Sequence, residues 1–261
     1  MFNKFINIFY FSQKKLSNFK YFLGFIIDTL VNLVFFFKQK QVTLIVLLRQ
    51  ILFTGVESLG LIAITSAVLS GMIIIQGSTI TPNFVSSPLL YTILISIITR
   101  ELGTLLTSLY IISRSGAAIA TELGNMVLNE EIDSLISIGI SPIIYLVIPR
   151  LIGVVISLFI LSIYFNIFGL LSSAILTQYL YDLPIASFIS QVFNELTLTD
   201  IISSSVKAIV FGFFAAIIPC YHGLQVSKAI TEVPQRTSKA VVQSIGIIII
   251  FDILITILFY V

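Results

Sequence analysis

The chain has 261 residues, of which 57% are hydrophobic and only 10% are charged, and its mean hydropathy is +1.10. Soluble domains carry roughly 25% charged residues, so this composition excludes an ordinary water-soluble fold. The net charge of +2 conceals an asymmetry, because residues 1–49 hold seven Lys and Arg against a single Asp. This basic end is expected to face anionic lipid. The side of the membrane that it faces is called cis here, and the opposite side trans.

The residues that most catalytic sites require are nearly absent. Cys220 and His222 are the only cysteine and the only histidine. Metal sites, disulfide frameworks and a Ser-His-Asp triad therefore lack their parts, and no metal or cofactor is expected. The phosphate-binding pattern G-x-x-x-x-G-K-[ST] is missing, so nucleotide-driven work requires a separate subunit. The N-terminal lysines alternate with Phe and Tyr, which favours a membrane anchor over nucleic-acid binding.

An amphipathic helix is predicted near the N-terminus, where apolar residues recur three and four apart between residues 16 and 37. Asp28, Thr29 and Asn32 lie in the middle of this run, and lysines lie at both ends. The helix is therefore expected to rest in the membrane interface rather than to cross the bilayer. No cleavable signal is evident, because lysines interrupt the first apolar run.

Five later runs are apolar enough to span a membrane, over residues 51–75, 89–112, 151–177, 201–220 and 240–261. Residues 113–150 are predicted to form a polar cis loop, and residues 178–200, which lack Lys and Arg, a trans loop. Twelve of the fourteen Lys and Arg then lie cis, two lie within spans and none lies trans, as the positive-inside rule requires. The fold predicted is an all-α integral membrane protein with five spans, or six if the N-terminal helix also crosses.

Arg100 and Glu101 are placed at the centre of the second predicted span. An ionisable group at that depth costs at least about 2.5–3.5 kcal/mol, so each must face protein, water or an opposite charge. Adjacent helical residues point about 100° apart, and separate partners are therefore expected for the two. A structural polar network and a direct role in a transport path both remain open. Asp252 in the last span and Glu57 in the first favour the structural role.

Gly116, Ala120 and Gly124 recur at every fourth residue. Such small side chains on one face allow a second helix backbone to approach closely. Helix packing is the predicted purpose of this face.

A short amphipathic helix is predicted on the cis side, beginning with Asn129 as its cap and ending before Gly139 and Pro142. Its polar side carries three acidic residues, Glu130, Glu131 and Asp133. Its apolar side carries Ile132, Leu135 and Ile136. From these residues alone the helix either rests on the membrane surface or docks a soluble partner.

Two stretches of the sequence resemble the MlaE-type permeases of ABC lipid transporters. The first contains RELG at residues 100–103 and SRSGAAIATELGNM at 113–126. The second contains EEIDSL at 130–135 and PIIYLVIPR at 142–150. A looser likeness continues through Thr237, Asp252 and Thr256. The resemblance begins at the first clear span, which divides the chain into a basic interfacial segment, 1–49, and a permease domain, 50–261.

The resemblance implies a non-catalytic permease subunit that forms a homodimer and moves phospholipid. It also implies an ABC ATPase on a separate chain, bound at a coupling helix matching residues 122–139, and an MCE-domain lipid-binding protein on the trans side. The predicted ATPase contacts are then acidic: Glu122, Glu130, Glu131 and Asp133. Similar permeases occur in bacterial inner membranes and in plastid inner envelopes.

Two other classes of function are considered beside the permease. A protein-export subunit similar to the twin-arginine translocase core has a comparable length and number of spans, and it is the alternative. An intramembrane enzyme is disfavoured by the single histidine, the absence of tryptophan and the lack of a paired acidic dyad.

Overall fold

The computed structural model describes residues 20–34, 44–80, 88–227 and 229–260. Within these ranges the chain forms helices joined by turns and contains no strand, which confirms the all-α prediction. Five stretches of the described residues are long and apolar enough to cross a membrane: Ile45–Thr79, Leu89–Leu128, Ile143–Tyr181, Leu198–Leu224 and Glu232–Tyr260. The predicted number of spans is confirmed, and each observed stretch includes polar residues beyond its predicted bounds.

The first helix, α1, covers residues 20–34, inside the predicted amphipathic segment 16–37. Residues 16–19 and 35–37 lie outside the described ranges. The buried Phe22 of α1 packs edge-on against Tyr221, with ring centroids 5.0 Å apart. Tyr221 lies near the cis end of the fourth span, so α1 is attached to that end of the helix bundle.

The first span is not one continuous α-helix. It consists of α2 (Leu44–Thr54) and α3 (Leu59–Ile80), joined by a single 3₁₀ turn at Val56–Ser58. Gly55 precedes the turn, and a Cβ atom there would lie 2.8 Å from the Ile51 carbonyl oxygen and 3.2 Å from Ser157 Oγ. The break therefore sits at a glycine where the first span closely approaches Ser157 of the third.

The second span continues much further than the sequence indicated. It contains α4 (Pro88–Leu94), α5 (Gly103–Ile111) and α6 (Ala117–Leu128), linked by π-helical segments at Ile95–Leu102 and Ile112–Gly116. Residues 113–128 are thus part of a long helix, and the prediction that they begin a cis loop was wrong. Their charged side chains do not end the helix because they form ion pairs with neighbouring spans.

The acidic cis helix, α7, covers Glu131–Ser137. Asn129 terminates α6 instead of capping α7, and Glu130 occupies the N-cap position with φ +58°. The predicted cap was therefore wrong, because the chain reverses through a left-handed residue and leaves no side-chain cap bond. The predicted end is confirmed, since Gly139 has φ +80° and the helix stops two residues before it.

The third span joins a π-helical segment, Ile143–Val147, to α8 (Ile148–Tyr181). The predicted trans loop contains a further helix, α9 (Ile185–Glu195), which packs back against α8. Next comes α10 (Leu198–Leu224), whose N-terminus is closed by a capping box between Thr197 and Asp200. The last helix is α11 (Glu232–Tyr260). Helix α10 lies at the centre of the bundle and contacts α5, α6, α8 and α11.

Candidate functional site

A cluster of polar side chains lies at the trans ends of α10 and α11. Arg100 Nε lies 2.7 Å from Asp200 Oδ1, and the Asp200 side chain is fully buried. Tyr260 donates a hydrogen bond of 2.8 Å to the same carboxylate oxygen, and the Arg100 guanidinium lies 4.8 Å from the centre of the Tyr260 ring. These three residues therefore join the π-helical segment of the second span to the fourth and fifth spans.

A second cluster lies deeper in the bundle and is centred on Lys207, whose side chain is fully buried. Its Nζ atom lies 2.9 Å from Glu101 Oε2 and 2.8 Å from Asp252 Oδ1, and it donates a 2.9 Å hydrogen bond to the Arg100 carbonyl. Thr256 donates a 3.0 Å hydrogen bond to Glu101. One buried ammonium thus holds two carboxylates from different spans.

The two clusters form one column of polar groups between the second, fourth and fifth spans. Thr104 and Ser204 lie beside them, with their hydroxyl oxygens 3.2 Å apart. We call this column the polar ladder. Its members are Arg100, Asp200, Tyr260, Thr104, Ser204, Glu101, Lys207, Asp252 and Thr256.

The ladder runs inward from the trans side. Asp200 is the third residue of α10 and Tyr260 ends α11, so the Arg100 cluster lies at the trans ends of these helices. Lys207 lies nine residues after the first residue of α10, which is roughly 14 Å along the axis. The prediction that Arg100 and Glu101 both lie at the centre of the membrane stays a prediction. The expectation that the two residues have separate partners is confirmed.

The ladder is only partly covered by its own chain. The side chain of Lys207 is completely buried, but those of Glu101 and Arg100 are 36% and 27% exposed. An exposed carboxylate or guanidinium cannot face lipid tails without a large free-energy cost. This side of the chain therefore requires a polar or protein neighbour.

Gly103 allows the second span to approach the third span closely. A Cβ atom at this position would lie 2.4 Å from the Ile98 carbonyl oxygen and 2.5 Å from Asn166 Oδ1. Residues 95–102 preceding it form a π-helical segment, a feature that is frequent at functional sites. The segment that carries Arg100 and Glu101 thus departs from regular α-helix and is packed tightly against α8.

The predicted small-residue face of α6 packs against the cis end of α10. A Cβ atom on Gly116 would lie 3.3 Å from Pro219, and one on Gly124 would lie 3.0 Å from Val226. Ala120 packs against Gly223 of α10: a Cβ atom on Gly223 would lie 2.9 Å from the Ala120 carbonyl oxygen. The structure thus brings all three predicted packing residues to one helix–helix contact.

The predicted coupling residues do not all lie together. Glu122 belongs to α6, where its carboxylate lies 2.9 Å from Nη2 of the buried Arg150, so it links the second and third spans. Glu130, Glu131 and Asp133 are exposed around the start of α7. Helix α7 has no buried residue, although Ile132 and Leu135 are half-buried against the core.

The exposed surface of α7 also contains large apolar side chains. Ile136 is 57% exposed and Ile138, just beyond the helix, is 69% exposed. Ile136 belongs to the predicted apolar side together with Ile132 and Leu135, but unlike those two residues it is exposed. Acidic and apolar groups thus share one exposed cis surface.

A further ion pair joins the break in the first span to the second π-helical segment of the second span. Arg114 forms a salt bridge with Glu57, and its guanidinium donates a 3.2 Å hydrogen bond to Ser58 Oγ. The same group lies 5.3 Å from the centre of the Phe53 ring. Two interruptions of regular helix are therefore held against each other.

Sequence reasoning missed Asp200 and Lys207 as parts of the site. Lys207 was placed inside the fourth span, and a lysine among apolar residues was the signal that could have identified it. Asp200 was placed in the trans loop, where a carboxylate is expected to be solvated and does not indicate a site. The Thr197-x-x-Asp200 spacing, which predicts a capping box and hence a helix start, could have moved it into the span.

Comparison with known proteins agrees with this architecture. The family described as "Permease MlaE" matches residues 47–258. A Rickettsia felis protein named "Probable ABC transporter permease protein" is 35% identical over 214 residues, which cover 82% of this chain and 83% of that protein. A Synechocystis protein with the same type of name is 31% identical over 198 residues, covering 76% of this chain and 75% of the relative.

A plant relative is also similar. The Arabidopsis thaliana protein "TRIGALACTOSYLDIACYLGLYCEROL 1, chloroplastic" is 31% identical over 213 residues, which cover 82% of this chain and 61% of that protein. The relatives thus include bacterial proteins named as permeases and a chloroplastic protein, and the family match covers all five candidate spans almost completely. Together with the helical bundle and its buried polar column, these similarities establish that the chain is an integral membrane permease belonging to the MlaE family.

Proposed function

We propose that the chain is the membrane subunit of an ATP-driven phospholipid transporter, in which two copies enclose the path taken by lipid. The observation that carries the proposal is the partial exposure of Glu101 and Arg100 within a span. These charges need a neighbour other than lipid tails. A second copy meeting the first along the polar ladder supplies that neighbour and leaves a polar-lined space between the two.

The lipid cargo is proposed from the family and from the names of relatives. The Arabidopsis relative is named after trigalactosyldiacylglycerol, which is a glycerolipid. A phospholipid has a polar headgroup and apolar tails, and the ladder offers polar groups at the trans ends of spans whose remaining surfaces are apolar. An MCE-domain lipid-binding protein on the trans side is the proposed partner that exchanges lipid with this space.

The energy source is proposed to be a separate ABC ATPase bound on the cis side. The names of the bacterial relatives as ABC transporter permeases support such a partner. Helix α7 is its proposed docking site, because it projects from the bundle with acidic residues beside the exposed Ile136 and Ile138. Exposed apolar groups rimmed by charge are typical of protein contacts.

Movement of α7 can reach the ladder through continuous helix. Residues 88–128 form one uninterrupted helical stretch that ends immediately before α7 and contains Arg100 and Glu101. A displacement of its cis end is therefore transmitted to the ladder unless one of its π-helical segments absorbs it. This connection is the proposed route by which ATP hydrolysis changes the space between the two copies.

Affinity purification in a mild detergent tests the complex, followed by mass spectrometry of the bound proteins and lipids. We expect an ABC ATPase, an MCE-domain protein and phospholipid to be recovered together. Recovery of a small single-span translocase component in their place would contradict the transporter and support protein export.

Cysteine cross-linking tests the second copy. Cys220 is the sole cysteine and can be replaced by Ser to give a cysteine-free background. Ile253 is 56% exposed and lies three residues from the ladder member Thr256, whereas Leu258 is 80% exposed and points about 200° away from Thr256. A bifunctional maleimide should cross-link two chains carrying Ile253→Cys but not two carrying Leu258→Cys. Equal cross-linking at both positions would indicate random collision and contradict the proposed arrangement.

A further inference from the structure

A cavity of about 240 Å³ lies between α8 and α9, apart from the polar ladder. All eight side chains that line it are apolar; three come from α8, four from α9, and the last is Leu196. Phe188 closes the back of the cavity, where it is buried and its ring lies 5.2 Å from that of Tyr91. Phe193, which is 71% exposed, lies at the mouth. The cavity is thus a closed-ended apolar slot that opens to the outside of the bundle.

The depth of the cavity places it among lipid tails. Its α8 residues, Ile167, Leu170 and Leu171, lie roughly 4–10 Å on the trans side of the midpoint of the helix Ile148–Tyr181. Half of a bilayer's hydrocarbon core is about 15 Å thick, so the slot lies inside the trans half of that core. Water has no polar partner along such a lining and does not fill it.

The height of the slot decides between two apolar occupants, a lipid tail and a transmembrane helix of a partner. Its α8 lining, Ile167 to Leu171, covers only about 6 Å of the helix axis. A partner helix that crosses the hydrocarbon core is about 30 Å long, so the slot would contact little more than one turn of it. A flexible alkyl chain can enter end-on past Phe193 and reach Phe188.

The surrounding charges indicate which headgroup the occupant carries. Residues 178–200, which supply five of the eight lining residues, contain no Lys or Arg; besides Asp200, which is buried and paired with Arg100, they carry Asp182 and Glu195. An anionic headgroup beside this segment meets like charge, whereas a zwitterionic or neutral one does not.

We propose that the slot between α8 and α9 binds one acyl chain of a zwitterionic or neutral glycerolipid from the trans leaflet. The site requires neither an ATPase nor a second copy of the chain, so it goes beyond the proposed function and stands or falls separately. Bound lipid fills the slot and holds α9 against α8, which fixes the segment that leads into Asp200 and the ladder.

The absence of tryptophan from the chain gives a direct test. Phe193→Trp introduces a single fluorophore at the mouth of the slot. Phe168→Trp is the matched control, because Phe168 lies on α8, which forms one wall of the slot, is 39% exposed and is not part of the lining. Phosphatidylcholine with brominated acyl chains, which quench tryptophan on contact, is titrated into each detergent-purified full-length variant.

The expected result is saturable quenching of Phe193→Trp at low lipid-to-protein ratio, while Phe168→Trp is quenched only in proportion to total lipid. Adding Ile189→Phe to the Phe193→Trp variant fills the slot and should raise the half-saturating lipid concentration about tenfold, because overpacking carries a penalty of that order. Brominated phosphatidylglycerol, which is anionic, should bind more weakly than phosphatidylcholine.

Identical, unsaturated quenching of the two single-tryptophan variants would overturn the site. Saturable quenching that Ile189→Phe leaves unchanged would also overturn it, since the lipid would then lie outside the slot. Preference for phosphatidylglycerol would overturn the headgroup assignment. Any of these results can occur while the ATPase still co-purifies, so failure here is distinguishable from failure of the transporter proposal.

Discussion

The Nζ atom of Lys207 lies 2.9 Å from the carboxylate of Glu101, and through this contact a fully buried lysine holds the π-helical segment of the second span against α10. The same ammonium lies 2.8 Å from Asp252 on α11. Three spans therefore depend on one cation. The first prediction concerns its removal.

Lys207→Met should destabilise the folded protein by about 3–5 kcal/mol, because removing one partner of a buried ion pair leaves the other charges uncompensated. The measurement is thermal unfolding in detergent, monitored by circular dichroism. A triple variant that also carries Glu101→Gln and Asp252→Asn should regain most of the lost stability. If the triple variant is no more stable than Lys207→Met, loss of packing rather than charge explains the effect.

A second prediction concerns the contact between α6 and α10. Gly223→Ala should destabilise the protein, since its new Cβ atom would lie 2.8 Å from Leu123 Cβ and 2.9 Å from the Ala120 carbonyl oxygen. Gly246→Ala, in α11, is the matched control because nothing lies within 4 Å of its added Cβ atom. The control should be neutral or more stable by about 0.5–1 kcal/mol, as alanine is the better helix former. Equal melting temperatures for the two variants would show that the close approach of α6 is not required.

The third prediction tests α7 as the docking site. Glu130→Lys combined with Asp133→Lys should abolish binding of the ATPase, and binding of the unmodified chain should weaken as salt rises, because exposed charge pairs are screened. Co-purification at low and high ionic strength provides the measurement.

Asp182→Lys is the control for that reversal. Asp182 ends α8 on the trans side, is exposed, and has φ +53°, close to the φ +58° of Glu130. The control reproduces the charge reversal and the left-handed backbone of Glu130→Lys, which is half of the double variant's charge change, on the opposite side of the membrane. It should leave ATPase binding unchanged; loss of binding in both variants would refute a specific role for α7.

A fourth prediction concerns Arg114 and Glu57, which join the two helix interruptions. Arg114→Glu alone should destabilise the protein, because it places two carboxylates together beside Ser58. Exchange of the two residues, Arg114→Glu with Glu57→Arg, should recover about 1 kcal/mol of that loss, the upper value usual for a solvent-accessible pair. A double-mutant cycle on melting temperature measures the coupling. Strict additivity would mean that the pair makes no net contribution.

Much of the fold could be predicted because apolar runs of span length are a strong signal. The number of spans follows from it, and so does the small-residue face, since Gly116, Ala120 and Gly124 repeat with the period of one helical face. Separate partners for Arg100 and Glu101 followed from the angle between adjacent helical residues. These features are local in the sequence.

The errors arose where a residue's partner is distant in the sequence. Arg114 and Glu122 suggested a polar loop, but they pair with Glu57 and Arg150 on other spans and therefore remain in a helix. Helix α9 was missed because its 11 residues are too few for a span and its amphipathic pattern lies between turn residues. The cap of α7 was misassigned because a non-glycine residue with positive φ is uncommon and leaves no sequence signature.

The second span makes ion pairs with three other spans: Glu57 on the first, Arg150 on the third, and Asp200 and Lys207 on the fourth. During synthesis, Arg100 enters the membrane before Asp200 exists, because 100 residues separate them. At about 5–20 residues per second, its partner follows roughly 5–20 s later. For that interval the second span carries charges that lipid does not tolerate, so the insertion machinery must retain it until the fourth span emerges. The polar ladder thus sets an order of assembly as well as a structure.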